Sequence, residues 1–258
     1  MISIRNLHKS FNGKPVLTGV HLDIPTGETL VIIGQSGCGK SVLLKHIVGL
    51  LEPDEGVVTI DDKIVSELRE KELYALRKRF GFLFQGAALF DSMTILENVS
   101  LGLSENGKYS DEHLAKVVAE KLQLVGLAGI ENLKPAELSG GMKKRAGLAR
   151  ALATNPDYLF YDEPTTGLDP VMSDQIDALI AELTHKLRVT SVVVTHDLFS
   201  VYTIAHRVAM MHQGKIHFEG TPEELRHSRD PIVQNFIERY GDTSNGGSRT
   251  KRNPGVLT

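Results

Sequence analysis

Along residues 1–33 apolar and polar positions alternate, with Ile2 and Ile4 followed by Val20, Leu22 and Ile24. A period of two suits strands with one buried face. Asn12-Gly13 and Thr26-Gly27 supply turn chemistry there, so the chain is expected to open in an antiparallel β unit. From Glu28 the pattern changes. "ETLVII" is a continuous apolar run, "GQSGCGKS" a glycine-rich loop, and "VLLKHIVGLL" an apolar helix ended by Pro53. Strand, loop and helix in that order predict a βα unit of a parallel sheet. "YLFYDEP" and "TSVVVTH" are equally continuous, as strands covered on both faces are, and belong to the same sheet.

Between these runs, Leu114, Val117, Val118, Leu122 and Val125 recur at helical spacing, and Ile176, Leu179, Ile180, Leu183 and Leu187 do the same later. Both stripes read as core rather than ligand boxes. Residues 86–155 are expected to be mostly helical and to form a subdomain inserted between sheet strands. "RVAMMHQGKIHFEG" predicts a closing hairpin turning at Gln213-Gly214. One domain over 1–240 is expected, followed by a disordered tail over 241–258, rich in Gly, Ser and Asn with Arg249, Lys251 and Arg252.

Composition narrows the function classes. The 29 basic and 32 acidic side chains nearly cancel, so no global field of the kind that holds nucleic acid is expected. Cys38 stands alone, which excludes an intrachain disulfide and points to a reducing compartment. No signal-like run opens the chain, and no apolar run approaches the ~20 residues that span a bilayer. Any membrane link is expected to run through a partner.

The loop Gly34 to Ser41 matches G-x-x-x-x-G-K-[ST] and stands where that loop works, after a strand and opening a helix. Glycines let successive backbone N–H groups curl round a phosphate, and the helix N-terminus adds partial positive charge. Lys40 is the candidate for the β- and γ-phosphates, and Ser41 offers a hydroxyl to Mg2+. Asp162 and Glu163 close a buried strand, where ligands gather in open α/β sheets. Asp162 is assigned to the Mg2+ site with Ser41. Glu163, facing otherwise, is assigned to the attacking water. His196, at the tip of another buried strand, is the candidate sensor of the γ-phosphate. The expected fold is α/β: a phosphate-loop NTPase core with a parallel sheet flanked by helices, an N-terminal antiparallel β subdomain and an inserted helical subdomain.

"LSGGMKKRAGLARAL", from Leu138, resembles the signature motif of the ATP-binding-cassette family. The resemblance covers Phe11 to about Leu225, with every part in the family's order. It implies that ATP stacks on Phe11 beside Val16 and is bound by Gly34, Gln35, Ser36, Gly37, Cys38, Gly39, Lys40, Ser41 and Val42. Gln85, in "FLFQG", resembles the family's switch residue and would contact Mg2+ and the water. Ser139, Gly140 and Gly141 would hold the phosphate of a second subunit in a head-to-tail homodimer, with Asp169 crossing the interface. The short apolar cluster Ala87, Ala88, Leu89, Phe90 and Met93 is divided between subdomain core and a surface for a permease helix.

The fifth signature residue is Met142, where the family usually has Gln. Met142 and "FQGAALFDSMTILENV" together resemble the ATPase subunits of the Mla phospholipid-transport system and related Mce-type transporters. That resemblance implies an ATP-driven motor for phospholipid transport across the bacterial envelope. It also implies integral-membrane permease subunits, lipid-binding accessory subunits, and a peripheral place on the cytoplasmic face of the inner membrane. The same motor with an amino acid or other small solute as cargo is the nearest alternative. A soluble cassette protein acting on ribosomes or DNA is more distant, because such relatives carry two cassettes in one chain or long coiled-coil insertions.

Overall fold

The computed structural model describes residues 1–104 and 109–241. Among these residues ten strands run in chain order as β1 (Ile2–Phe11), β2 (Lys14–Ile24), β3 (Thr29–Gly34), β4 (Glu55–Ile60), β5 (Lys63–Ile64), β6 (Phe80–Leu83), β7 (Tyr158–Asp162), β8 (Thr190–Val194), β9 (Arg207–His212) and β10 (Lys215–Gly220). The helices are α1 (Lys40–Ile47), α2 (Glu70–Arg77), α3 (Ile95–Ser104), α4 (Asp111–Leu124), α5 (Gly140–Leu152), α6 (Pro170–Leu187), α7 (Leu198–Ile204), α8 (Pro222–Arg226) and α9 (Pro231–Gly241).

Two sheets organise them. An antiparallel sheet has the order β2-β1-β4-β5, and the main sheet the order β10-β9-β3-β8-β7-β6. All neighbours in the main sheet are parallel except the hairpin pair β9 and β10. The unbroken apolar runs have a simple cause: successive side chains feed two different cores. Val31, Ile33, Leu159, Tyr161 and Val193 face one, which α3 to α7 and α9 complete. Leu30, Ile32, Tyr158, Phe160, Val192 and Val194 face the other, shared with α1 and the antiparallel sheet. Burying both faces removes the alternation that a half-solvated strand shows.

The chain leaves β3, runs to the far edge of the sheet at β6, and returns through β7 and β8 to the other flank of β3. This reversal is the switch point at which open α/β sheets bind ligands, beyond the carboxyl ends of their strands. α3, α4 and α5 lie in the chain between β6 and β7. Two expectations differ from the structure. The helix after the phosphate loop stops at Ile47 rather than at Pro53, because Gly49 takes a left-handed φ of 69° against Leu73 and Val65. Gly241, expected to begin the tail, closes α9. The remainder of the expected tail, 242–258, lies outside the described residues.

Candidate active site

The carboxyl ends of four adjacent strands and the start of α1 enclose an open cavity of about 470 Å³. Val16, Ser36, Gly37, Gly39, Lys40, Ser41, Val42, Gln85, Asp162, Glu163, His196 and Tyr240 line it.

The phosphate loop is shaped by close backbone approach. A Cβ on Gly34 would lie 2.5 Å from the Met211 carbonyl, and one on Gly39 would lie 2.8 Å from Leu17 Cδ2 and 3.1 Å from the Val16 carbonyl. Gly39 caps α1 at φ 107°, and no side chain accepts the first N–H groups of that helix. A helix start without such a cap leaves its donors to a ligand. Lys40 is buried, and its ammonium donates to the carbonyls of Gly34 at 2.7 Å and Gln35 at 3.1 Å. Cys38 turns from the cavity and packs on the core beneath, and burial pushes its thiol pKa up.

Ser41 Oγ donates to Asp162 Oδ1 at 3.4 Å. Burial, then the neighbouring Glu163 charge, push the Asp162 carboxyl above its ordinary pKa, against the pull of Ser41 and Lys40. Glu163 follows β7 with a left-handed φ of 50°, uncommon for a residue with a side chain. Its N–H donates to the Val194 carbonyl at 2.8 Å. Its carboxylate lies 3.0 Å (Oε1) and 2.9 Å (Oε2) from His196 Nδ1, and Thr166 Oγ1 donates to Oε2 at 3.0 Å. The hydrogen bond to Glu163 raises the His196 pKa, with burial opposing it.

A nucleotide with Mg2+ fits this donor set. The loop supplies a helix start that no side chain caps and an ammonium, and the adjacent carboxyls of Asp162 and Glu163 raise the demand for a cation beside the Ser41 hydroxyl. Among the described residues no group of three or more His, Cys, Asp or Glu could hold a metal by itself. Mg2+ suits such a site, since it is usually held by one or two carboxylates together with phosphate oxygens.

Other expected residues stand apart from the cavity lining. Phe11 ends β1, 41% exposed, with the Lys9 ammonium 5.8 Å from its ring centroid. Gly34, Gln35 and Cys38 support the loop from behind. Ser139 caps α5, its Oγ accepting from the Met142 N–H at 3.3 Å. Asp169 caps α6, accepting from the Val171 and Met172 N–H groups at 3.0 Å each. Gly141 sits against Met172, whose Cε would lie 2.1 Å from a Cβ there. In the loop after β6, Ala87 is buried, Leu89 packs against the core, and Phe90 is half exposed.

Sequence reasoning missed two residues. Tyr240, near the end of α9, lines the cavity and meets the His196 ring at 5.9 Å between centroids. Val233, Phe236 and Tyr240 have helical spacing, which signals the helix but not where its end lands. Lys144 is buried in α5, and its ammonium donates to the carbonyls of Gln85 and, at 3.2 Å, of Glu163. Nothing in "MKKR" distinguishes it from a solvated lysine.

Comparison with known proteins places these features in context. Residues 17–166 match the model of a family described as ABC transporter. The chain is 42% identical over 236 residues to the "Probable ribonucleotide transport ATP-binding protein mkl" of Mycobacterium leprae, covering 92% of this chain and 68% of that protein. It therefore spans about two thirds of that relative's length. It is 38% identical over 242 residues to the "Intermembrane phospholipid transport system ATP-binding protein MlaF" of Haemophilus influenzae, covering 94% of this chain and 92% of that protein. Among solved structures, the dimeric bacterial ABC transporter cassette MJ0796 superposes with a TM-score of 0.79 at 36% identity, covering 86% of this chain and 99% of that one. Its dimeric post-hydrolysis state bound to ADP and Pi superposes with a TM-score of 0.78 at 35% identity, over the same shares of the two chains.

Proposed function

The chain belongs to the ABC transporter family, and from that premise we propose that it is the ATP-hydrolysing subunit of a transporter that moves phospholipid across the bacterial envelope. One observation carries the hydrolytic part: Lys40, Ser41, Asp162, Glu163, Gln85 and His196 line a single cavity, whereas Ser139, Gly140, Gly141 and Asp169 lie outside it. The first set binds and activates. The second serves the site of another copy, so two chains pair head to tail in a homodimer.

In this reading the N–H groups of the loop and the Lys40 ammonium hold the phosphates and offset their charge. Ser41, Asp162 and Gln85 would hold Mg2+, which would supply charge neutralisation on the phosphate oxygens. Glu163 orients the attacking water and accepts its proton. His196, already hydrogen-bonded to Glu163, fixes that carboxylate and offers its remaining ring nitrogen toward the γ-phosphate. Phe11 stacks on adenine beside Val16.

No helix among the described residues is long and apolar enough to cross a membrane. In this reading the work is delivered to separate integral-membrane permease subunits, which hold the chain at the cytoplasmic face of the inner membrane. Phe84 and Phe90 flank Gln85 in the chain and are exposed, 42% and 50%. They give the permease an apolar seat next to the switch loop. Phospholipid as cargo, with lipid-binding accessory subunits, is supported by the Haemophilus relative, whose similarity covers almost its full length. The mycobacterial relative is named for ribonucleotide transport, which keeps a small solute as the second reading.

The test is to isolate the native assembly from the source membrane through a tag on this chain and to identify what co-purifies. Permease subunits with bound phospholipid are expected. Permease with a polar solute and no phospholipid would replace the cargo. Ribosomes or DNA in place of a permease would end the transporter reading.

A further inference from the structure

We infer that Lys144 is a positioning residue for hydrolysis, tying the Gln85 loop and the Glu163 turn to the helix that carries Ser139. The inference rests on the ATPase reading given above. Lys144 stands just over one turn into α5, whose cap Ser139 and first residue Gly140 are exposed. Only 5% of it is exposed, and the acceptors of its ammonium are two backbone carbonyls rather than carboxylates, those of Gln85 and Glu163. Burial lowers its pKa, while the charges of Glu163 and Asp162 act the other way. A buried ammonium is costly unless its N–H groups are satisfied, so the contacts to both carbonyls are held firmly.

Each carbonyl belongs to a residue whose placement matters. Glu163 occupies a left-handed backbone conformation, its N–H held by Val194 on one side and its carbonyl by Lys144 on the other. A residue whose two flanking peptides are both clamped fixes where the carboxylate beside His196 points. The Gln85 loop is held by α5 at a second place, since Arg150 donates to the carbonyls of Ala87 at 2.7 Å and Ala88 at 2.6 Å. Arg150 has no such contact with Glu163. Lys144 joins both catalytic segments at once, and a shift of α5 when a second copy engages its N-terminus is passed to Gln85 and Glu163 together.

The experiment uses the full-length chain in K144M, close to lysine in shape but without donors, and K144Q, which restores N–H donors without the charge. K144M is expected to lower kcat about 30-fold while KM for ATP stays within about threefold, the pattern of lost positioning rather than lost binding. K144Q is expected to recover to within about fivefold of the wild type. By hydrogen exchange, peptides spanning Gln85 and Glu163 open faster in K144M, and those of β1 and β2 are unchanged. The inference is overturned by a K144M kcat within about twofold of the wild type, or by equal losses in K144M and K144Q. Should K144M fail to fold, K144A takes its place, and wild-type exchange at Gln85 and Glu163 in K144A overturns the inference. Exchange needs no turnover, so it judges Lys144 even if the wild type proves to have no ATPase activity, the result that would end the underlying reading.

Discussion

Two helix starts in this chain carry glycine-rich motifs, and their surroundings differ. α1 begins at Gly39 with no side chain capping it, and it opens into a cavity lined by the chain's own ammonium, hydroxyl and carboxylates. α5 begins at Ser139, whose hydroxyl already accepts the Met142 N–H, and that start lies outside the cavity lining. One has the donors and the charge that suit a phosphate. The other, among the described residues, does not share that cavity with Lys40, Asp162 or Glu163. On the proposed reading the same local chemistry serves two ends of one reaction, and a second copy brings them together.

The largest effect should come from breaking the chemistry at the first start. Glu163→Gln is expected to cut ATP turnover by about 10² to 10⁴, the usual share of a general base, and to leave an ATP-bound dimer measurable by light scattering. Turnover at the wild-type rate would remove Glu163 from its role.

A smaller effect separates the two starts. Lys40→Ala should weaken nucleotide binding to isolated chains by at least about tenfold, because a donor to a charged group is lost. Ser139→Ala should leave that binding within about twofold, yet lower turnover about tenfold through the lost cap and the lost contact to the partner's phosphate. Nucleotide titration of the separated chains decides it. If both substitutions weaken binding alike, the two cradles are not divided between copies.

The smallest effect is electrostatic and confined to the first site. The Glu163 carboxylate holds the His196 imidazole above its ordinary pKa of about 6.5. Stability from this pair is complete below about pH 6.5 and fades as pH rises through the raised value. NMR titration of the His196 ring should show the midpoint falling toward the ordinary value in Glu163→Gln. An unmoved midpoint would assign the shift to another group.

Much of this site is legible in the residues because its parts are local. The loop from Gly34 to Ser41 needs only its own glycines and its place between a strand and a helix. Asp162 and Glu163 need only a continuous apolar run to mark a buried strand end. Other parts depend on neighbours distant in the chain. α1 stops early because Gly49 meets Leu73 and Val65. Tyr240 matters because α9 packs through Phe236 on the core that α7 shares, which brings its end to His196.

By itself, then, the sequence determined the two-faced burial of the main strands, the phosphate loop, and the order in which the candidate carboxylates and His196 appear. These are short-range consequences of periodicity, backbone freedom and side-chain chemistry. Only the tertiary structure decided that Lys144 is buried rather than solvated and that Glu163 bonds to His196. It also decided that the Ser139 cradle lies away from Lys40. Each of those depends on how α5, β7 and β8 pack, and packing is a property of surfaces brought together from residues far apart in the chain.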